Sequence, residues 1–335
     1  MIIGLAYDLK QAIQLGQGYP DDTLEEYDSP ETIDALAAAI EAQGYSVVRL
    51  GGGREFINNI TQHKVDLVFN IAEGLGNYKS REAQIPAILE MLDIPYSGSD
   101  PQCLAISLDK PLAKKILAAS EITTPEWKLV TQRDKLKETD WNSFPLPAFI
   151  KPAYEGSSKG ITLGSIVYNT KQLVEVAAET LERYHQPILV EKFISGDEVT
   201  VGITGNSPPK VLGIMRVLPK NSTANFIYCL EVKRDWENLV EYECPARLDK
   251  SVMQKIEKAS LKVFSVLGCR DFSRIDFKVS SNGEPYFLEI NPLPGLNPKS
   301  GDLPIMGGKM GWTYQGLVSN ILNAALERYR QCVRI

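Results

Sequence analysis

Apolar residues along the chain fall into two patterns: short continuous runs, and longer segments where they recur every three to four positions. Ile2 to Tyr7 is a short run and Thr32 to Gln43 a helical segment stopped by Gly44, after which Ser46 to Leu50 is again a run. Phe56 to His63 and Asp66 to Ile71 repeat the alternation. A further helix is expected over Ser80 to Leu92, ended at Asp93-Ile94-Pro95 because proline biases its predecessor away from helical angles. Strands and helices in this order predict a parallel, doubly wound sheet, with a domain boundary near Asp100.

The pattern then changes. A helix from Asp109 to Ser120 carries Lys110, Lys114 and Lys115, and a polar stretch rich in both charges runs on to Asn142. Alternating runs at Pro147 to Lys151, Ile161 to Val167 and Ile188 to Phe193, with a helix from Gln172 to Tyr184, predict an antiparallel sheet under helices, a compact α+β unit. Beyond Gly196, strands are expected at Glu198 to Gly205, Val211 to Leu218, Asp276 to Val279 and Tyr286 to Ile290. Helices are expected over Leu248 to Leu267 and Tyr314 to Tyr329. The fold class is therefore α/β joined to α+β, with no internal repeat or low-complexity segment.

Composition narrows the function classes. Of 335 residues, 44% are hydrophobic and 23% charged, which is ordinary globular usage and removes disordered, collagen-like and coiled-coil readings. A net charge of −6 lacks the basic footprint of a nucleic-acid binder, so any nucleotide is expected as a small ligand. Cys103, Cys229, Cys244, Cys269 and Cys332 are odd in number and unpaired in spacing, so reduced thiols are expected rather than disulfides or a zinc site. No leader pattern and no apolar run of about 18 residues appears, so the protein is expected to be cytoplasmic and free of the membrane. The acceptor-like triplets Asn59-Ile60-Thr61 and Asn221-Ser222-Thr223 then carry no meaning. With only His63 and His185, both in polar surroundings, the chemistry falls to carboxylates, lysines and arginines.

Three segments carry that chemistry. KPAYEGSSKG, from Lys151 to Gly160, is a strand end followed by a tight loop that can bring amides and hydroxyls to phosphate oxygens, although a plain hairpin turn fits the same residues. PILVEKFISGDE, from Pro187 to Glu198, is a buried strand emerging at Glu191-Lys192; it can hold a purine or end in a solvated ion pair. In the third, Ser273 to Phe277 and Phe287 to Pro292, strand periodicity projects Asp276, Glu289 and Asn291 from one face, with Arg274 pointing the same way. Three oxygen ligands beside a fixed cation suit magnesium and phosphate; a buried ion pair is the alternative.

In this order the segments resemble the ATP-grasp ligases, and within them the D-alanine:D-alanine ligase branch. The likeness runs from about Asp66 to the C-terminus through IPYSGSDPQCLAISLDKPLAKKIL, KPAYEGSSKG, ILVEKFISGDEVTVG, YECPARL, LGCRDFSRIDF and FLEINPLPGLNPKSGDLP. It implies an ATP-grasp fold: an N-terminal doubly wound pre-ATP-grasp domain over 1–100, a small central subdomain over 101–195 and a larger C-terminal subdomain over 196–335, the last two gripping ATP. By the same resemblance Lys110, Lys151, Ser158, Glu191, Lys192, Ile194 and Glu198 hold the nucleotide. Asp276, Glu289 and Asn291 hold Mg2+, two ions, and Arg274, Ser157, Lys233 and Gly295 serve phosphoryl and acyl transfer. Ser300 grips a substrate carboxylate, with Lys299 beside it and Arg234 in the lid. The implied activity is ADP-forming ligation of an amino acid to an amino acid or amine through an acylphosphate, under a lid near Asn221 to Tyr242, in a homodimer formed through the N-terminal domain.

Departures from the family pattern fall at the amino-acid pockets. The glutamate that binds the first ammonium has no aligned counterpart, Asp8, Glu25, Glu26 and Asp28 being candidates, and Arg234 stands where the lid has a tyrosine. Of the usual glutamate, serine and tyrosine triad only Ser157 remains. These differences favour a diverged ligase over the cell-wall enzyme. An ATP-binding regulator and a kinase that stops at the phosphorylated product are the remaining alternatives.

Overall fold

The computed structural model describes residues 1–13, 18–221 and 225–332. In the first stretch β1 (Ile2–Ala6), α1 (Pro30–Glu41), β2 (Ser46–Gly51), α2 (Gly53–Gln62), β3 (Leu67–Asn70) and α3 (Gln84–Met91) form a parallel sheet of order β2-β1-β3 with its helices. Ile3, Leu5, Leu67 and Phe69 pack with α1 on one face, while Ala6 and Val68 pack with Phe56 of α2 and Leu89 of α3 on the other. Burial on both faces is why these strands read as continuous apolar runs. Ser29 caps α1 by accepting from Thr32 N, and Pro30 occupies the first helical position, where no amide is needed.

The second stretch contains α4 (Pro101–Leu108), α5 (Lys110–Ala119), β4 (Trp127–Val130), α6 (Arg133–Glu138), β5 (Ala148–Pro152), β6 (Ile166–Val167), α7 (Thr170–Tyr184) and β7 (Ile188–Lys192). Its sheet is antiparallel, order β4-β7-β5-β6, over a core that includes Trp141, Ile150 and Leu173. The strand expected from Ile161 to Val167 survives only over its last two residues. Thr162 instead caps a short 3-10 turn, accepting from Gly164 N while its own amide donates to Ser165.

The third stretch holds β8 (Gly196–Thr204), β9 (Lys210–Pro219), α8 (Leu230–Arg234), α9 (Trp236–Leu239), β10 (Val240–Glu243), α10 (Lys250–Val266), β11 (Phe272–Ser280), β12 (Pro285–Asn291), α11 (Asp302–Lys309) and α12 (Tyr314–Cys332). Its antiparallel sheet has the order β10-β9-β8-β11-β12. Two of the cores cross the expected boundaries of 1–100, 101–195 and 196–335. Cys103, Leu117 and Ile122 share a core with α10 and this sheet, so the segment around α4 and α5 packs with the third stretch rather than the second. Likewise Leu317, Ile321 and Ala325 of α12 pack with Ile33 and Leu36 of α1, returning the chain to the first sheet.

Cys103, Cys229, Cys244 and Cys269 are unpaired thiols; the side chain of Cys332 and residues Ser222 and Thr223 lie outside the described residues. Among those described, no helix is long and apolar enough to cross a membrane.

Candidate active site

Two adjoining cavities meet at the face of β11 and β12. Lys151, Ser158, Glu191, Lys192, Ile194 and Glu198 all line the first, between the four- and five-stranded sheets. Glu191 lies between two amines: Lys151 Nζ is 2.9 Å from Oε2 and Lys114 Nζ 2.7 Å from Oε1, with all three side chains buried. Burial pulls the Lys114 amine down to about 8, against the pull of Glu191. For Lys151 burial is outweighed by Glu191 and Glu289, and its amine titrates above the ordinary lysine range. The Glu191 carboxylate is thus occupied by lysines, and its contribution to the cavity is to hold the Lys151 charge there. Glu198 pairs with Lys278 at 3.0 Å and accepts from Tyr228 N at 3.3 Å.

Register brings the acidic cluster together. Asp276 stands opposite Glu289 and Arg274 opposite Asn291, which puts all four on one face; a bulge then inserts Leu288. Arg274 grips Asp276 through Nε (3.1 Å to Oδ1) and Nη2 (2.8 Å to Oδ2), and Thr200 also donates to Asp276. Glu289 lies 3.4 Å from Lys110. Burial would raise its carboxyl, but Lys110, Lys151, Lys233 and Arg274 together hold it down to about 2. Asn291 donates Nδ2 to Asp276 at 3.3 Å, leaving its carbonyl oxygen for another partner. An all-oxygen donor set with Glu289 fixed as an anion fits a hard divalent cation.

The second cavity is lined by Lys110, Ser157, Lys233, Arg234, Arg274, Asn291, Gly295 and Ser300, opposite Glu25, Glu26, Asp28, Glu73 and Glu82. Arg274 Nη1 is 3.2 Å from Asp302, so the guanidinium is fixed from two sides, and these acids carry its pKa above the ordinary range against burial. Ser157 and Ser158 have φ of 49° and 60°, a left-handed conformation that costs about 1–2 kcal/mol per non-glycine residue. That loop presents Ser158 to the first cavity and Ser157 to the second. Lys233 of α8 reaches both cavities, its amine 5.0 Å from the Tyr228 ring centre.

Ser300 is set by a residue that the sequence reading passed over. Asn297 Oδ1 accepts from the amides of Lys299 (2.9 Å) and Ser300 (3.0 Å), a side-chain turn whose signal is the asparagine itself. Gly301 closes the same loop, since a Cβ there would lie 2.7 Å from the Gly295 carbonyl oxygen. Lys299, expected beside the substrate, is exposed and lines neither cavity: its amide is tied to Asn297.

The four candidate acids separate by their partners. Glu25 pairs with Arg234 (Nη2 at 2.5 Å), Glu26 with Arg81 (2.6 Å) and Lys159 (2.8 Å), and Asp8 accepts from Gly74 N at 2.9 Å; Asp28 has no cation within 4 Å among the described residues. Lys114, Arg81, Lys159, Glu73 and Glu82 were not foreseen as site residues. Lys114 had a usable signal in its spacing of four from Lys110 on one helix.

Residues 116–323 match the family model described as D-ala D-ala ligase C-terminus. A D-alanine–D-alanine ligase of Aquifex aeolicus is 33% identical over 294 residues, 88% of this chain and 94% of that one. One from Trichlorobacter lovleyi is 34% identical over 88% of this chain and 89% of its own. Among solved structures, the D-alanine–D-alanine ligase of Bacillus anthracis complexed with ATP superposes with a TM-score of 0.74 at 24% identity, covering 99% of both chains. The VanG D-Ala:D-Ser ligase of Enterococcus faecalis has a TM-score of 0.72 at 21% identity, covering 97% of this chain and 99% of that one. With this fold, and with lysines, arginine and carboxylates converging on one sheet face, the chain belongs to the D-alanine–D-alanine ligase family of ATP-grasp enzymes.

Proposed function

We propose that this ADP-forming ligase binds ATP and Mg2+ at the β11–β12 face and joins an amino acid to a second amino acid or amine through an acylphosphate. The observation that carries this is the junction of the two cavities: Lys233 lines both, and Asp276 and Glu289 of the largely apolar one share a sheet face with Arg274 and Asn291 of the more polar one. ATP occupies the first, with its adenine against Ile194 and Phe149, its ribose at Glu198 and its phosphates toward Lys151, Lys110 and the Ser157-Ser158 loop. Bound at Asp276, Glu289 and Asn291, magnesium supplies charge neutralisation to the phosphates.

In the second cavity a substrate carboxylate oxygen attacks the terminal phosphorus and the bond to ADP breaks. Lys110, Lys233 and Arg274 face the charge that spreads over the transferred group. An amine then attacks the acylphosphate carbon, loses a proton, and phosphate leaves. Arg274 and the Gly295 amide steady the tetrahedral oxyanion, while Ser300, oriented by Asn297, binds the carboxylate of the second amino acid. The α8 segment with Lys233 and Arg234 excludes water from the intermediate. Dependence on ATP makes the cytoplasm its compartment.

The test is ADP release with magnesium across D- and L-amino acids, singly and in pairs, with mass spectrometry of the products. An amide together with ADP supports the ligase. Phosphorylated amino acid accumulating without amide would make it a kinase, and ATP binding without turnover on any substrate would make it a regulator.

A further inference from the structure

The second cavity holds more acidic side chains than one ammonium group can pair with. Asp28, Glu73 and Glu82 all line it, and none has an ion partner within 4 Å or a side-chain hydrogen bond among the described residues. Glu82 is the decisive member, being only 7% exposed and unpartnered, with that remaining exposure toward the cavity. The nearby cations are already occupied. Arg81 serves Glu26 and Glu155, Lys159 serves the same two acids, and Lys110 serves Glu289.

Ionising a carboxyl that lies buried without a partner is costly, so these acids keep their protons until a ligand cation supplies that partner. Three unpaired acids lining one cavity can take more than one positive charge of a single molecule.

Resting on the ligase reading above, we propose that the amino acid bound against Asp28, Glu73 and Glu82 is a diamino acid, with one ammonium group held by Glu82 and Glu73 and the other by Asp28. The titration of the empty cavity agrees. Burial first, then neighbouring acids, raise Asp28 and Glu82 to about 7 and Glu73 well above its ordinary value, so these groups hold protons until cations displace them. Binding a diamino acid near neutral pH therefore releases protons, and binding a monoamino acid of the same length releases fewer.

The experiment compares ornithine, lysine and 2,4-diaminobutyrate of both hands with norvaline and norleucine, reading amide product and kcat/KM. A charge-assisted hydrogen bond is worth about 1.5–3 kcal/mol, so the preferred diamino acid should exceed its neutral isostere by roughly 10- to 150-fold. Glu82→Gln should lower kcat/KM for the diamino acid by a similar factor and the preference with it; Asp28→Asn reports on the other end. Calorimetry in buffers of different ionisation heat should record proton release that Glu82→Gln reduces.

Amide formed equally well from norleucine, or a Glu82→Gln loss equal on both substrates, overturns the diamino acid while leaving the ligase standing. If no amide forms from any pair, the ligase reading fails, and calorimetry with an unreactive ATP analogue still decides the cavity. Diamino-acid binding weakened by Glu82→Gln supports the assignment, and no binding overturns it.

Discussion

Exchanging Glu191 for glutamine keeps the side-chain volume but removes one charge from a place where three are held almost without water: Lys114, Glu191 and Lys151 have side-chain exposures of 0%, 2% and 4%. Two ammonium groups are then left buried and facing each other. Removing one partner of a buried ion pair costs about 3–5 kcal/mol, and at about 2 °C per kcal/mol the melting temperature near pH 6.5 should fall by roughly 6–10 °C. The deficit must depend on pH. A lysine whose folded pKa lies below its unfolded value binds fewer protons when folded, so stability rises with pH between the two values. Lys114 is already at about 8 in the native protein and should titrate lower in the variant. The loss should therefore shrink between pH 6.5 and pH 9.5. Thermal melts at both pH values measure it, and the KM for ATP should rise about tenfold as Lys151 loses charge. Adding Lys114→Met to the variant removes one of the two repelling amines and should recover part of the loss. Equal deficits at both pH values, or a double variant no more stable than Glu191→Gln alone, would refute this account of the triad.

Three further outcomes follow from the site geometry. Arg274→Ala should lower kcat about 10²–10³-fold while the affinity for ATP changes little, measured by steady-state kinetics and nucleotide titration; kcat within threefold of wild type would sink its assignment. Glu289→Gln replaces an acid held near 2 by a neutral amide, so half-saturating magnesium should rise about tenfold, read from the magnesium dependence of ADP release. Gly301→Ala sets a methyl 2.7 Å from the Gly295 carbonyl oxygen and so disturbs Ser300; the KM for the amine should rise at least about tenfold with that for ATP unchanged.

Most strands that the sequence revealed carry a continuous apolar run or stripe. Parallel β1 and β3 are covered on both faces, and β8, β9, β11 and β12 each carry an unbroken apolar stripe, so local periodicity sufficed. Elements that depend on distant partners stayed hidden. β4 is an edge strand with three of its four residues only half-buried, which weakens any alternation. α11 reads Asp-Leu-Pro-Ile-Met-Gly-Gly-Lys, a poor helix former by composition. It forms because Gly202 and Gly213 lack side chains where Leu303 and Met306 must lie: a Cβ at Gly202 would be 2.6 Å from Leu303, and one at Gly213 would be 2.9 Å from Met306. A sequence window over 302–309 contains none of that information.

The same contrast divides the site. Arg274, Asp276, Glu289 and Asn291 share a face by strand period and cross-strand register, two rules that act over a few residues, so their convergence could be read directly. The acids of the second cavity obey no such rule. Glu26 meets Arg81 across 55 positions and Lys159 across 133, while Glu82, next to Arg81 in the chain, has no cation within 4 Å among the described residues. In sequence these residues are acids in polar segments, equivalent to a solvated face. What separates them is the arithmetic of partners after folding: Glu26 has two cations, Glu25 has Arg234 and Lys10, and Glu82 has none within 4 Å among the described residues. A carboxylate that the fold buries and leaves unmatched is a requirement placed on the ligand, and that requirement first becomes visible when every neighbouring charge has been assigned.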